Sequence, residues 1–118
     1  MHEFVLADRV LQSVLEYMND KRLTEVHEVG VDIGELLGVE NESLRSAFTL
    51  LSKGTRVEGC KLRIRRVNGF VGCGKCGYEG GLRGDEVGHF VDPVFACPKC
   101  GLPVEIRAGR ELKIISVA

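Results

Sequence analysis

Long apolar runs are missing from this sequence: no stretch exceeds four apolar residues, as in Phe4–Ala7. A helix that crosses a bilayer needs about 20 predominantly apolar residues, so none is encoded. The first residues also lack the basic region and apolar segment of an export signal, carrying His2, Glu3 and Asp8 instead. Neither sign of charge is in excess. Sixteen Lys and Arg face seventeen Asp and Glu, which leaves a formal net charge of −1 and no overall basic footprint for nucleic acid or a membrane surface. The nucleotide loop GxxxxGKS/T is absent, and no Ser/His/Asp set or paired carboxylates emerge. These absences argue against an enzyme and point to a cytoplasmic chain in which any nucleotide hydrolysis is supplied by a partner.

What is present is enough for one modest core and a small second module: 118 residues, 44% hydrophobic and 28% charged. Phe4, Ala7, Leu11, Val14, Leu15 and Met18 recur at helical spacing and predict an amphipathic helix from Glu3 to about Arg22. Val29, Val31 and Ile33 alternate with Gly30 and Asp32, which predicts a strand ending at Gly34. A second helix is expected between Asn41 as N-cap and Gly54 as C-terminal stop, with Leu44, Ala47, Phe48 and Leu51 on one face. "CKLRIRRV" and the C-terminal "ELKIISVA" read as two further strands. Between them the composition changes: residues 69–88 hold eight glycines, and four of the five cysteines lie between 73 and 100. The expected fold is α+β, two helices packed on a three-stranded sheet, with an inserted zinc-ribbon-like module. The expected domains are 1–68 plus 105–118, and 69–104.

The inserted segment carries Cys73-Gly-Lys-Cys76-Gly and Cys97-Pro-Lys-Cys100-Gly, with twenty residues between Cys76 and Cys97. In a reducing compartment such pairs favour metal over disulfides. Two CxxC knuckles can aim four thiolates at one tetrahedral centre, the arrangement of a closed structural zinc site with no position open for a substrate. Iron can occupy the same four sulfurs, while a thioredoxin-like redox pair needs only one motif in a different context. Lys75 and Lys99 are placed to offset the thiolate charge. Cys60, at the start of a strand, is expected to be a small buried hydrophobe. His27 shares parity with Val29 and Val31, which predicts a packed or edge-strand histidine.

The opening "MHE" offers a different chemistry. The α-amine of Met1, the deprotonated amide nitrogen of His2 and its imidazole can close two fused chelate rings in one plane, leaving a fourth position open. Planar nitrogen coordination suits Ni(II) and Cu(II) and is poor for zinc. Glu3 can orient the imidazole or supply an oxygen, or simply complement the helix dipole. His89, in the glycine-rich extension, is either a solvated loop residue or a ligand for that fourth position.

The "MHE" start, the helix–strand–helix–strand order, the stretch "LSKGTRVEGCKL", the paired CxxC module and the closing strand together resemble the HypA family over essentially the whole chain. These are accessory proteins that help deliver nickel to NiFe-hydrogenase. The resemblance implies Ni(II) as the transported ion at Met1, His2 and Glu3, and structural Zn(II) at Cys73, Cys76, Cys97 and Cys100. It also implies a HypB-like GTPase and the hydrogenase large subunit as partners. The competing reading is a zinc-ribbon adaptor for nucleic acid or protein, using Lys61, Arg63, Arg65 and Arg66 as a basic strand face. Near-zero net charge and few aromatics for base stacking count against nucleic acid.

Overall fold

The computed structural model describes residues 3–82 and 95–118. The helical face read from the sequence forms α1 (Glu3–Lys21), whose Leu6, Ala7, Val10, Leu11, Val14 and Met18 are all buried. The helix ends where Arg22 turns to φ 55 and the Leu23 N–H reaches back to the Met18 carbonyl at 2.8 Å. That is a Schellman closure made without glycine. β1 (Glu28–Gly34) follows, then a single 3-10 turn (Glu35–Leu37) and α2 (Asn41–Ser52). The N-cap of α2 is Glu40, not Asn41: Glu40 is extended, its carbonyl accepts the Leu44 N–H at 3.0 Å, and its own side chain makes no capping bond. Gly54 lies just beyond the C-cap Lys53, at φ 79.

β2 (Lys61–Val67) and β6 (Leu112–Val117) flank β1 in a sheet of order β2-β1-β6. β1 is thus the central strand, and it is buried on both sides from Val29 to Gly34. Met1–Asp32, Val39–Arg65 and Leu112–Ala118 form one compact unit. In it α1 packs on α2, and Phe48 and Leu44 are almost fully enclosed. Truncating a core phenylalanine such as Phe48 to alanine costs about 3–5 kcal/mol. His27 lies one step before β1: its backbone bonds to Ala118 on one side and Lys61 on the other, yet its imidazole is 80% exposed. The expected packed or edge-strand histidine is therefore corrected. The strand is central, and at that level the side chain opens to solvent, with the Glu25 carboxylate 3.7 Å from its Nε2.

The second unit comprises Ile33–Gly38 and Arg66–Glu111. Among the described residues it holds three strands that the sequence pattern did not reveal: β3 (Phe70–Gly72), β4 (Glu79–Gly80) and β5 (Glu105–Ala108), in the order β4-β3-β5. Both pairings are antiparallel, with a register shift between Phe70 and Val71. These bounds exceed 69–104, because β5 pairs with β3 and because residues 33–38 join the same core. Leu36, Val71 and Phe95 make that core, with Tyr78, Leu82, Val104 and Ile106 packed around it. Among the described residues no helix is long and apolar enough to cross a membrane.

Candidate metal centre

Each CxxC pair sits on the turn of a short antiparallel hairpin, and the two turns are built alike. In the first, the Cys73 N–H donates to the Tyr78 carbonyl at 2.8 Å and the Gly77 N–H to the Cys73 carbonyl at 3.0 Å. In the second, the Cys97 N–H donates to the Leu102 carbonyl at 2.8 Å and the Gly101 N–H to the Cys97 carbonyl at 2.9 Å. Gly77 and Gly101 stand at the same place, at φ 81 and φ 78. In this left-handed conformation a side chain is disfavoured, which is why each second cysteine is followed by glycine. β3 and β4 support the first turn, and an antiparallel bridge between Ala96 and Pro103 supports the second.

The hairpins bring four sulfurs together. Cys73 and Cys100 approach to 3.6 Å, as do Cys76 and Cys97, and all four ligand atoms lie within 4.8 Å of one another. Tetrahedral zinc with bonds of about 2.3 Å requires sulfurs roughly 3.8 Å apart, so the cluster already has the needed dimensions. Cys73 and Cys97 are buried; Cys76 and Cys100 are exposed.

Electrostatics fit a cation at the centre. Backbone N–H groups of Cys76 and Lys75, with smaller contributions from neighbouring thiols, hold the Cys73 thiol down at about 6. The Leu102 N–H favours the Cys100 thiolate, yet burial and the other three cysteines push that thiol up to about 11. Four thiolates in one site repel one another, and a divalent cation removes the conflict. Lys75 and Lys99 contribute backbone N–H groups, with Lys99 N 3.4 Å from Cys97 Sγ, while their side chains are exposed.

Cys60 lies outside the cluster. It is half-buried, not fully enclosed as expected, its Sγ is 3.5 Å from the Lys61 carbonyl, and burial and then Glu28 push its thiol up. An unreactive thiol on the edge of the sheet is the result. Of the expected nickel residues, Glu3 opens α1 and lines a groove of about 370 Å³ with Phe4, Glu42 and Leu50. Met1, His2 and His89 lie outside the described residues. The sequence reading missed Arg107 and Leu36. Arg107 crosses from β5 over Gly72 to bond Glu79 on β4 at 2.7 Å, an ion pair that ties the three strands behind Cys73. An Arg in a short strand gives no sequence signal of this.

Comparison with known proteins agrees with these features. A family model described as hydrogenase/urease nickel incorporation, metallochaperone, hypA, matches residues 1–118. A hydrogenase maturation factor HypA of Methanothermobacter thermautotrophicus is 36% identical over 118 residues, covering 99% of this chain and 95% of the relative. One from Archaeoglobus fulgidus is 33% identical over 117 residues, covering 99% and 96%. The fold is similar to the solution structure of the Ni metallochaperone HypA from Helicobacter pylori, with a TM-score of 0.65 at 22% identity, covering 99% of this chain and 96% of that one. With a family model matched from end to end and the paired knuckles in place, the chain belongs to the HypA family.

Proposed function

We propose that this chain is a nickel metallochaperone of hydrogenase maturation with a structural zinc site, and the observation that carries this reading is the full-length family match. The four-cysteine cluster supports the zinc assignment independently, by its sulfur spacing. Cys73, Cys76, Cys97 and Cys100 would hold zinc, which supplies a cross-link between two hairpins and no open coordination position.

Nickel is the cargo. The Met1 amine, the His2 amide nitrogen and imidazole form the proposed planar site, with Glu3 orienting the ring or adding an oxygen and His89 as the proposed fourth ligand. Glu3 at the first turn of α1 supports this reading, because a rigid helix fixes where its carboxylate begins. Delivery would run in the cytoplasm, beside a HypB-like GTPase, to the large subunit of NiFe-hydrogenase. The absence of a nucleotide loop supports a partner that hydrolyses GTP, and no catalytic role is assigned to the chain itself.

The adaptor reading is less well supported. On the strand face that was to serve it, Arg63 is engaged by Glu28 at 2.9 Å and Arg65 by Asp32 at 2.7 Å. Arginines committed to carboxylates are poorly available for phosphates. The deciding experiment is disruption of the gene in its native host. Loss of hydrogenase activity that excess nickel restores is expected; unaltered hydrogenase activity would overturn the reading.

A further inference from the structure

The knuckles stand on a common apolar floor, and one of its three residues comes from far outside the cysteine segment. Val71 lies two residues before Cys73, and Phe95 two residues before Cys97. In each hairpin the buried cysteine and its floor residue therefore share an extended strand's side. Val71 is fully buried and Phe95 is 7% exposed. The residue that completes their cluster is Leu36, 8% exposed, from the 3-10 turn after β1.

The turn is fixed to the zinc unit by more than this packing. The Leu36 N–H donates to the Gly109 carbonyl at 2.7 Å, and the Gly34 N–H to the Glu111 carbonyl at 2.9 Å. The Glu35 carboxylate accepts the Gly69 N–H at 2.8 Å. Gly69 is small for a reason. A Cβ there would come within 2.8 Å of Leu36 Cγ and 2.7 Å of its Cδ2. Gly109 approaches as closely on the other side, where a Cβ would lie 2.5 Å from the Gly69 Cα. Backbones with no side chains between them let the leucine reach the floor.

We infer that Glu35–Leu37 is a non-cysteine part of the zinc centre's support, with Leu36 as the positioning residue that holds the bases of the two knuckles in register. Leu36 offers no ligand atom. It fills the space between the strands that carry Cys73 and Cys97, so that four ligands from two hairpins arrive pre-aligned. The relation is reciprocal. Metal that locks the hairpins also locks the floor on which the turn rests, so the order of residues 35–37 follows metal occupancy. Nothing in the spacing of the cysteines signals this, since Leu36 lies 37 positions before Cys73.

The inference rests on the zinc reading, and the test separates the two. Zinc content of the unaltered full-length protein comes first: a chain that binds no zinc refutes the metal reading itself. Zinc transfer to a colorimetric chelator is then timed for Leu36→Ala, Leu36→Met and Gly69→Ala, with Val14→Ala in the buried face of α1 as a control for general loss of core. Leu36→Ala and Gly69→Ala are expected to release zinc on the order of tenfold faster, the usual effect of losing a group that orients metal ligands. Leu36→Met, which restores the volume, should return close to the original rate. The thiolate-to-metal and d–d bands of the cobalt(II) forms should shift in the two labile variants only. In the unaltered protein, zinc removal should deprotect the Leu36 and Gly69 amides while those in α1 keep their protection. Release at the original rate from Leu36→Ala, equal acceleration by Val14→Ala, or metal-independent protection of Leu36 would overturn the inference.

Discussion

Arg65 on β2 grips Asp32 on β1 with both edges of its guanidinium: Nε lies 2.8 Å from Oδ1 and Nη2 2.7 Å from Oδ2. Asp32 is only 9% exposed, and this fork-to-fork geometry satisfies both of its oxygens. Beside it Arg63 bonds Glu28 at 2.9 Å and Ser116 at 3.2 Å. Two of the basic residues that alternate along β2 are therefore matched by the two acids of β1, Glu28 and Asp32. The sequence shows both sets, but which arginine meets which acid depends on strand order and register.

The pair makes stability depend on acid. The hydrogen bond from Arg65 is the largest cause holding the Asp32 carboxyl below its ordinary range. A group whose pKa falls on folding stabilises the folded state above its unfolded value, about 4 for aspartate, and loses that contribution as pH falls through the lower folded value. Asp32→Asn should therefore lower Tm at neutral pH, and its deficit relative to the parent should shrink as the pH drops below about 4. A series of thermal melts across that range measures it. A deficit that is constant with pH would mean that the ionised pair is not its source.

Removal of a cysteine separates the cluster from the bystander. Cys73→Ser and Cys97→Ser each delete a buried sulfur of the four that converge, so zinc content should fall from one per chain toward none. Cys60→Ser should retain the full complement, since its thiol lies outside the cluster. Metal analysis of the purified variants gives the answer. Full zinc retention in both knuckle variants would exclude a four-thiolate site.

Much of this was legible in the residues themselves. Apolar periodicity located α1, α2, β1 and β2, β-prone residues located β6, and the cysteine spacing identified the metal cluster. The small sheet was not legible. β3 has three residues and β4 two, too few to show alternation. Leu36 was hidden for another reason: it looks like any leucine after a strand, and its partners are fixed only by tertiary packing. His27 went the opposite way. Its parity was right for burial, but parity does not reveal where the covering layer stops.

Glycine at the knuckles should be sensitive to substitution through its backbone conformation alone, since a Cβ at Gly77 or Gly101 would meet no neighbouring atom. Gly77→Ala and Gly101→Ala each force a side chain into the left-handed region, at about 1–2 kcal/mol apiece. Because the turns are equivalent, the two variants should weaken zinc retention to similar extents, and the double variant should lose roughly the sum. Competition with a chelator of known affinity reads this directly. Widely different losses from the two single variants would show that the turns do not share the load equally.

The nickel reading makes a demand on His89. If this imidazole supplies the fourth planar ligand, His89→Ala should weaken nickel binding while zinc content stays at one per chain. Nickel should also slow amide exchange in residues 80–95. An unchanged nickel affinity and absorption spectrum in the variant would return His89 to an ordinary solvated residue.

The strictest demand falls on the first nitrogen of the chain. A planar site made from the Met1 amine, the His2 amide and the His2 imidazole fails when the amine is blocked, even with every side chain present. N-terminal acetylation should then damage nickel binding as severely as His2→Ala, whereas Glu3→Ala should do less if the carboxylate only orients the ring. The sign of the pH dependence is fixed too. The amine and the backbone amide must both lose protons before they bind, so nickel affinity should rise with pH. A one-residue extension is a poor control, because it creates a new terminal chelate with an additional amide nitrogen; several residues are needed to carry the amine out of reach. Nickel titration of tagged and untagged protein, read through the planar d–d band, decides the matter. If the tag leaves both affinity and band unaltered, the terminal amine is no ligand, and His2 must bind nickel through its side chain alone or not at all.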